Sequence, residues 1–274
     1  MTETETLTFA PLTVGDLPAA VALSRAERWP HRPEDWALFL GLGRGVAARV
    51  GDRLVGTAMA MPFGPVATAC MIIVASEMRG RGLGRRVMEQ AMALVAPQEW
   101  RLVATEDGLP LYEKLGFRAS GRIVQHQGPV AAVAAPDGVA WATGADLPAL
   151  VALDRAATGA DRADLIAALA RTGRLARLDD GTGYAALRPF GRGEVAGPVI
   201  ARDGESARRL LAFLFASRTG AFLRVDTPEE SGLAPWLAEN GLAPVGGGVS
   251  MTRGTPVVPD GSLHPFALAA QALG

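Results

Sequence analysis

The chain has 274 residues, a formal net charge of −1 and 49% hydrophobic residues. That length favours two domains, the apolar share suffices for two cores, and the near-neutral charge argues against a nucleic-acid-binding protein. No apolar run reaches ~18 residues and the acidic start, Met1 to Thr6, lacks a signal peptide's basic and apolar regions, so a cytoplasmic protein without membrane spans is expected.

Leu7 to Leu12 has the pattern of a first strand. Asp16-Leu17-Pro18 then starts a helix to about Arg25, with Asp16 as N-cap and Pro18 in the first turn. Trp29 to Pro33 interrupts, and Glu34 to Leu42 resumes as a second helix. Val46–Val50 and Leu54–Met61 form a hairpin over Gly51-Asp52-Arg53. Cys70, the single cysteine, excludes an internal disulfide and reads as a small buried apolar residue rather than a nucleophile.

An apolar run of strand length, Met71 to Val74, leads into three alternate glycines, Gly80, Gly82 and Gly84, flanked by Arg79, Arg81, Arg85 and Arg86. Leu83, Val87, Ala91, Leu94 and Val95 then recur at helical spacing. In a strand, glycine loop and helix, bare backbone N–H groups turn toward one anion at a helix N-terminus. Arginine forks add donors suited to phosphate. The P-loop is excluded because Arg85-Arg86 follows Gly84 where Lys-Ser or Lys-Thr is required. The dinucleotide fingerprint fails as well, its third glycine falling on Arg85 or Val87. Arg101–Thr105 is the next strand, Leu109–Leu115 a short helix stopped by Gly116, and Phe117 to His126 the last strands.

Arg79-x-x-Gly82-x-Gly84, followed by Leu111-Tyr112-Glu113-Lys114-Leu115-Gly116-Phe117, resembles the signature segments of the GNAT superfamily of acyl-CoA-dependent N-acyltransferases. The resemblance covers residues 7 to about 130. It implies an α/β fold with a mixed, mostly antiparallel central sheet flanked by helices. It also implies that backbone at Ile72, Ile73 and Val74 pairs with pantetheine, a backbone N–H near Val74 polarising the thioester carbonyl. Arg79, Gly80, Arg81, Gly82, Leu83, Gly84 and Arg85 would hold the diphosphate, with Thr105 a further pantetheine contact. Tyr112 matches the family's general acid, its other reading being a core aromatic. No base is written plainly: His31 and Glu27 are candidates, and a water relay would require neither.

Gly128 to Gly138 reads as a linker, after which the chain starts again. Residues 146–156 match residues 16–26 at 9 of 11 positions. A helix at Arg162–Thr172, strands near Leu175, at Tyr184–Leu187 and at Val195–Ile200, a helix at Ser206–Phe215, a strand at Phe222–Val225, a helix at Leu233–Asn240 and a strand near Val249 repeat the first order. The expected organisation is two tandem GNAT-like domains, 1–132 and 139–254, with a tail at 255–274. In the second copy Arg202-Asp-Gly-Glu-Ser-Ala207 stands where the glycine loop stood, and Leu237 where Tyr112 stood. Asp203 and Glu205 would repel a diphosphate, so the second copy is expected to keep the scaffold without the cofactor chemistry. It is expected to wall the acceptor cleft, with Pro265–Leu273 docking back on the body.

The expected activity is transfer of acetyl from acetyl-CoA, as cosubstrate, to a primary amine of a small molecule or peptide by direct attack. No metal, nucleic-acid or membrane partner is expected, and the oligomeric state is not legible. The alternative is an acyl-CoA-binding sensor or scaffold without turnover.

Overall fold

The computed structural model describes residues 6–274. Met1 to Glu5, where the missing leader was read, lie outside the described residues. Small and branched residues fill β2 (Arg44–Val50), β3 (Arg53–Phe63) and β4 (Val66–Val74) almost without a polar break, so these strands are buried on both faces. Around them the first half runs β1 (Leu7–Pro11), α1 (Leu17–Ala26), α2 (Pro33–Leu42), β2, β3, β4, α3 (Leu83–Met92), β5 (Glu99–Ala104), α4 (Leu109–Lys114) and β6 (Arg118–Pro129).

The second half repeats that order as β7 (Val139–Trp141), α5 (Leu147–Thr158), α6 (Ala163–Thr172), β8 (Arg174–Leu178), β9 (Gly183–Phe190), β10 (Gly193–Ala201), α7 (Gly204–Ala216), β11 (Phe222–Pro228), α8 (Ala234–Glu239) and β12 (Ala243–Gly254). A last strand, β13 (His264–Ala267), follows. The repeat extends to the caps: the Thr13 N–H donates to Asp16 Oδ2 at 2.8 Å, and the Thr143 N–H to Asp146 Oδ2 at 2.7 Å. Several boundaries differ from expectation, β5 for instance running Glu99–Ala104 rather than Arg101–Thr105. β4 begins at Val66 rather than Met71, β6 continues through Gly128 and Pro129 of the expected linker, and α3 stops at Met92 before Val95.

All strands join one 13-stranded sheet, in the order β1-β2-β3-β4-β5-β12-β6-β11-β10-β9-β8-β7, with β13 paired to β10. Only β4–β5 and β10–β11 are parallel among the described pairs. The two halves have exchanged their final long strands. β12 lies between β5 and β6, pairing Met251 with Leu102 and Val249 with Arg122. The far edge of β6 pairs with β11, Val225 opposite His126. The copies are consecutive along the chain but interleaved in the sheet.

The core is shared as well. One cluster takes Trp36, Phe39 and Met59 from the first half and Ile166, Leu169 and Tyr184 from the second. Asp35, 1% exposed, joins them: its Oδ2 accepts from the Arg32 N–H at 2.9 Å and the Gly191 N–H at 3.1 Å. Burial works against that charge, but the Arg32 and Gly191 donors outweigh it and hold the carboxyl below its ordinary range.

Candidate active site

β4 and β5 are held together only at their first residues, Val66↔Glu99, Ala67↔Trp100 and Thr68↔Arg101. Beyond Thr68 they part, and β4 runs on to Val74 paired to β3 alone. The pairing with β3 slips between Thr57/Met59, where Met71 takes φ 51° and the Thr57 hydroxyl donates to the Met71 carbonyl at 2.7 Å. A positive φ at a non-glycine residue costs of order 1–3 kcal/mol and clusters at functional sites. The bulge therefore bends β4 where a notch opens between the strands.

The glycine loop stands at the outer end of this notch. Gly80 and Gly82 have φ +73° and +74°, and a Cβ on either would meet nothing within 4 Å. Gly82 is the N-cap of α3, with no side chain capping it, so the first-turn N–H groups at Leu83, Gly84 and Arg85 face open space. Leu83 itself is buried and, with Val87 of the same helix, packs α3 against Val55 and Ala75. The four arginines divide. Arg81 is exposed and has no ion pair among the described residues. Arg85 donates to Glu89 at 2.7 Å, and Arg86 lies 4.7 Å over the Phe9 ring. Arg79, though exposed, folds back along the loop, donating to the Val74 carbonyl at 3.1 Å and pairing with Glu27. Thus Glu27 and Arg79 bracket the end of β4, and the Val74 carbonyl is already engaged.

Tyr112, on α4, is 7% exposed and clusters with Ala67 and Ala69 of β4 and Leu102 and Ala104 of β5. Its ring packs edge-on to Phe117 at 6.2 Å, and a Cβ at Gly108 would come within 2.8 Å of it. Burial, reinforced by the neighbouring Cys70 thiol, pushes the Tyr112 hydroxyl well above its ordinary range, so it stays protonated at neutral pH. Cys70 is buried and its thiol is likewise pushed up, which leaves it inert. Ile72 and Val74 are half-buried and Ile73 is buried along β4; exposed Thr105 follows the end of β5, at the N-cap position of the turn into α4 but with no side-chain cap bond.

His31 stands apart from this group. Its ring is 5.9 Å from Trp29, 5.8 Å from Phe39 and 5.7 Å from Phe190 of the second half, with Nδ1 3.4 Å from Ser24 Oγ. Burial pushes its pKa down to about 4; Asp35 opposes this, and Arg224 and Arg188 add to it. Such a ring is neutral but a poor proton acceptor, and its position marks it as packing between the halves.

The second half has the corresponding notch, since β10 and β11 pair only at Glu194↔Leu223 and Val195↔Arg224. Here the opening is filled by the chain itself. β13 pairs with β10 at Val199↔Ala267, Ile200↔Pro265 and Ala201↔His264, and the Leu268 N–H donates to the Asp226 carbonyl of β11 at 2.9 Å. Asp203 caps α7 by accepting from the Ser206 N–H at 2.8 Å, so the helix end that would meet a diphosphate already carries a carboxylate.

A cavity of about 710 Å³ opens at the apex of the first notch. Its wall takes Thr68, Arg101 and Val103 from β4 and β5, on the sheet face opposite α3 and α4, and is completed by Ser250 of β12 and by residues 258–274. No local signal in the sequence pointed to this wall, because its parts are far apart along the chain.

Two models of the acetyltransferase (GNAT) domain match the chain, over residues 42–119 and 150–267. A Bacillus subtilis protein described as an uncharacterized N-acetyltransferase, YitH, is 30% identical over 77% of this chain and 78% of its own length. The chain belongs to the GNAT acetyltransferase family. Among solved GNAT-fold structures, a putative acetyltransferase from Pyrococcus horikoshii superposes with a TM-score of 0.84 at 20% identity, over 100% of this chain and 97% of the other. A tandem GNAT protein from the clavulanic acid biosynthesis pathway gives 0.60 at 17% identity, over 90% and 98%. GNAT domains take an acyl-CoA donor, and the open anion cradle at Gly80–Arg85 fits its diphosphate.

Proposed function

We propose that the protein is an acetyl-CoA-dependent N-acetyltransferase with one working site, in its first half. The observation that carries this reading is the contrast between the notches. The first is open, with a bare-backbone anion cradle at one end and a large cavity at its apex; the second is plugged by β13. The residues that would hold the donor are the backbone of Ile72, Ile73 and Val74 along the notch, Gly80–Arg85 at the diphosphate, with Arg79 fixing the strand end and Thr105 on the facing strand. When bound, the donor supplies an activated acyl thioester.

The cavity and Tyr112 lie on opposite faces of the sheet. An amine reaching the apex from the cavity and a proton reaching the sulfur from Tyr112 therefore use separate approaches, so neither need displace the other during direct transfer. An acyl-enzyme route is disfavoured by the inert thiol of Cys70. Glu27, tied to Arg79, is the remaining side-chain base of the two candidates, with water as the alternative. The acceptor is a small-molecule or peptide amine, and the setting is cytoplasmic.

A sensor that binds acyl-CoA without turnover is the second reading, favoured by the absence of an unengaged base among the two candidates. Thiol release from acetyl-CoA across a panel of primary amines separates the two. Amine-dependent release is expected; saturable acetyl-CoA binding with no release above the buffer rate for any amine would leave the sensor.

A further inference from the structure

The cavity at the notch apex has a charge pattern that restricts what it can accept. Its charged and titratable wall residues are Arg101, Arg162, Glu230 and His264. Both arginines are committed. Arg101 donates to Glu99 at 3.0 and 2.9 Å and to the Thr158 carbonyl at 2.9 Å. Arg162 donates to Asp154 at 2.8 and 2.6 Å and to the Gly274 carbonyl at 2.7 Å. Each cation is thus neutralised by its own buried carboxylate, and neither offers a free fork to an acidic ligand. Glu230 has no ion pair among the described residues. It stands in the turn after β11 of the second half, over Gly121, where a Cβ would lie 3.8 Å from its carboxylate.

The register places Glu230 relative to the reacting centre. The last β4–β5 pair is Thr68↔Arg101, and the next outward-facing β5 residue on the cavity side is Val103. Val103 pairs with Ser250, and Ser250 with Gly121. Two strand spacings separate β5 from β6, so Glu230 lies on the order of 10 Å from the notch. Ser250 lies between them on β12, and the rest of the wall is largely apolar, including Val103, Leu263 and Phe63.

We propose that this cavity selects an amine that carries a second positively charged group across an apolar spacer, and that Glu230 receives this second charge while the first amine sits at the notch. The proposal rests on the N-acetyltransferase reading for what happens at the notch, and adds the acceptor class. Glu230 is a specificity residue supplied by the second half, roughly one spacer length from the chemistry.

The test is calorimetry on the full chain, with and without saturating CoA, using three probes matched in length: 1,8-diaminooctane, octylamine and 8-aminooctanoic acid. The diamine should bind about fivefold tighter than the monoamine, the gain of one partly exposed ion pair, and the acid weakest. Glu230→Gln, in an exposed turn where folding does not depend on it, should bring diamine and monoamine together without changing CoA affinity. Equal affinities in the wild type, a diamine advantage that survives in Glu230→Gln, or no binding of any probe would overturn the proposal. Acetyl transfer is read separately. Glu230-dependent diamine binding without acetylation would sink the enzyme reading alone, and acetylation without diamine preference would sink this one alone.

Discussion

Tyr112 owes its position to neighbours that do no chemistry: Gly108 leaves room for its ring, and Phe117 packs against the ring's edge. No hydrogen bond holds its hydroxyl among the described residues, so Tyr112→Phe should leave stability and acetyl-CoA affinity nearly unchanged. Loss of a general acid typically costs ~10²–10⁴ in rate. Steady-state turnover with a proven acceptor checks this, and a wild-type rate would reduce Tyr112 to packing. His31 carries a different expectation. Unfolded, its ring titrates near 6.5; folded, burial lowers it to about 4. The unfolded chain therefore binds the extra proton in between, and stability is full above about 6.5 and falls as pH drops toward 4. Urea unfolding at about pH 7.5 and pH 5 should show a loss of about 2 kcal/mol from this ring, absent in His31→Gln. The rate profile should show no inflection near 6.5 from His31; a His31-dependent one would restore it as the base.

At the scale of elements, the parts legible in the sequence were those whose determinants are local. Gly80, Gly82 and Gly84 announce the loop because positive φ and a bare N-cap are properties of a few adjacent residues. Asp16 and Asp146 were legible as turn residues but do not cap the helices that follow; each carboxylate instead accepts from the N–H of the threonine three residues before it. The start of β4 at Val66 was not legible, since Ala67, Thr68, Ala69 and Cys70 are small residues without a marked strand pattern. Gly128 and Pro129 look like linker residues, yet they continue β6 because β11 runs alongside, Phe222 opposite Pro129. The docking of the tail was anticipated, but not its form as a strand in the second notch, which depends on a partner some 65 residues upstream (Val199 and Ala267). Gly197 makes that close approach possible: a Cβ there would lie 2.0 Å from the Leu268 carbonyl oxygen. Gly197→Ala should cost about 1–3 kcal/mol by overpacking and loosen the tail. Limited proteolysis should then cut within 258–274 at protease levels that leave the wild type intact, and an unchanged digestion pattern would show that β13 is not seated against β10.

On the scale of the molecule, the strand exchange makes the halves interdependent. A fragment ending at Val133 keeps β6 but loses β12, which fills the gap between β5 and β6, and β11, which covers the far edge of β6. Three unpaired strand edges and half of a shared core would be exposed, a pattern that favours aggregation. Expression of 1–133 should give insoluble or self-associated material by size exclusion; a monomer with a cooperative melt would mean that the first half folds without the exchange. The same arrangement explains why a copy without a phosphate loop persists: it supplies the strand that completes the first sheet and the wall of the cavity. On the proposed reading the chain has a single working site, at the first notch. Calorimetric titration of the full chain with acetyl-CoA tests it most directly, with Gly82→Asp alongside, where a carboxylate would enter the open cradle at the α3 N-terminus. One acetyl-CoA per chain is expected, with loss of that binding in the variant and its fold retained by circular dichroism. Two sites per chain, or unchanged affinity in Gly82→Asp, would contradict it.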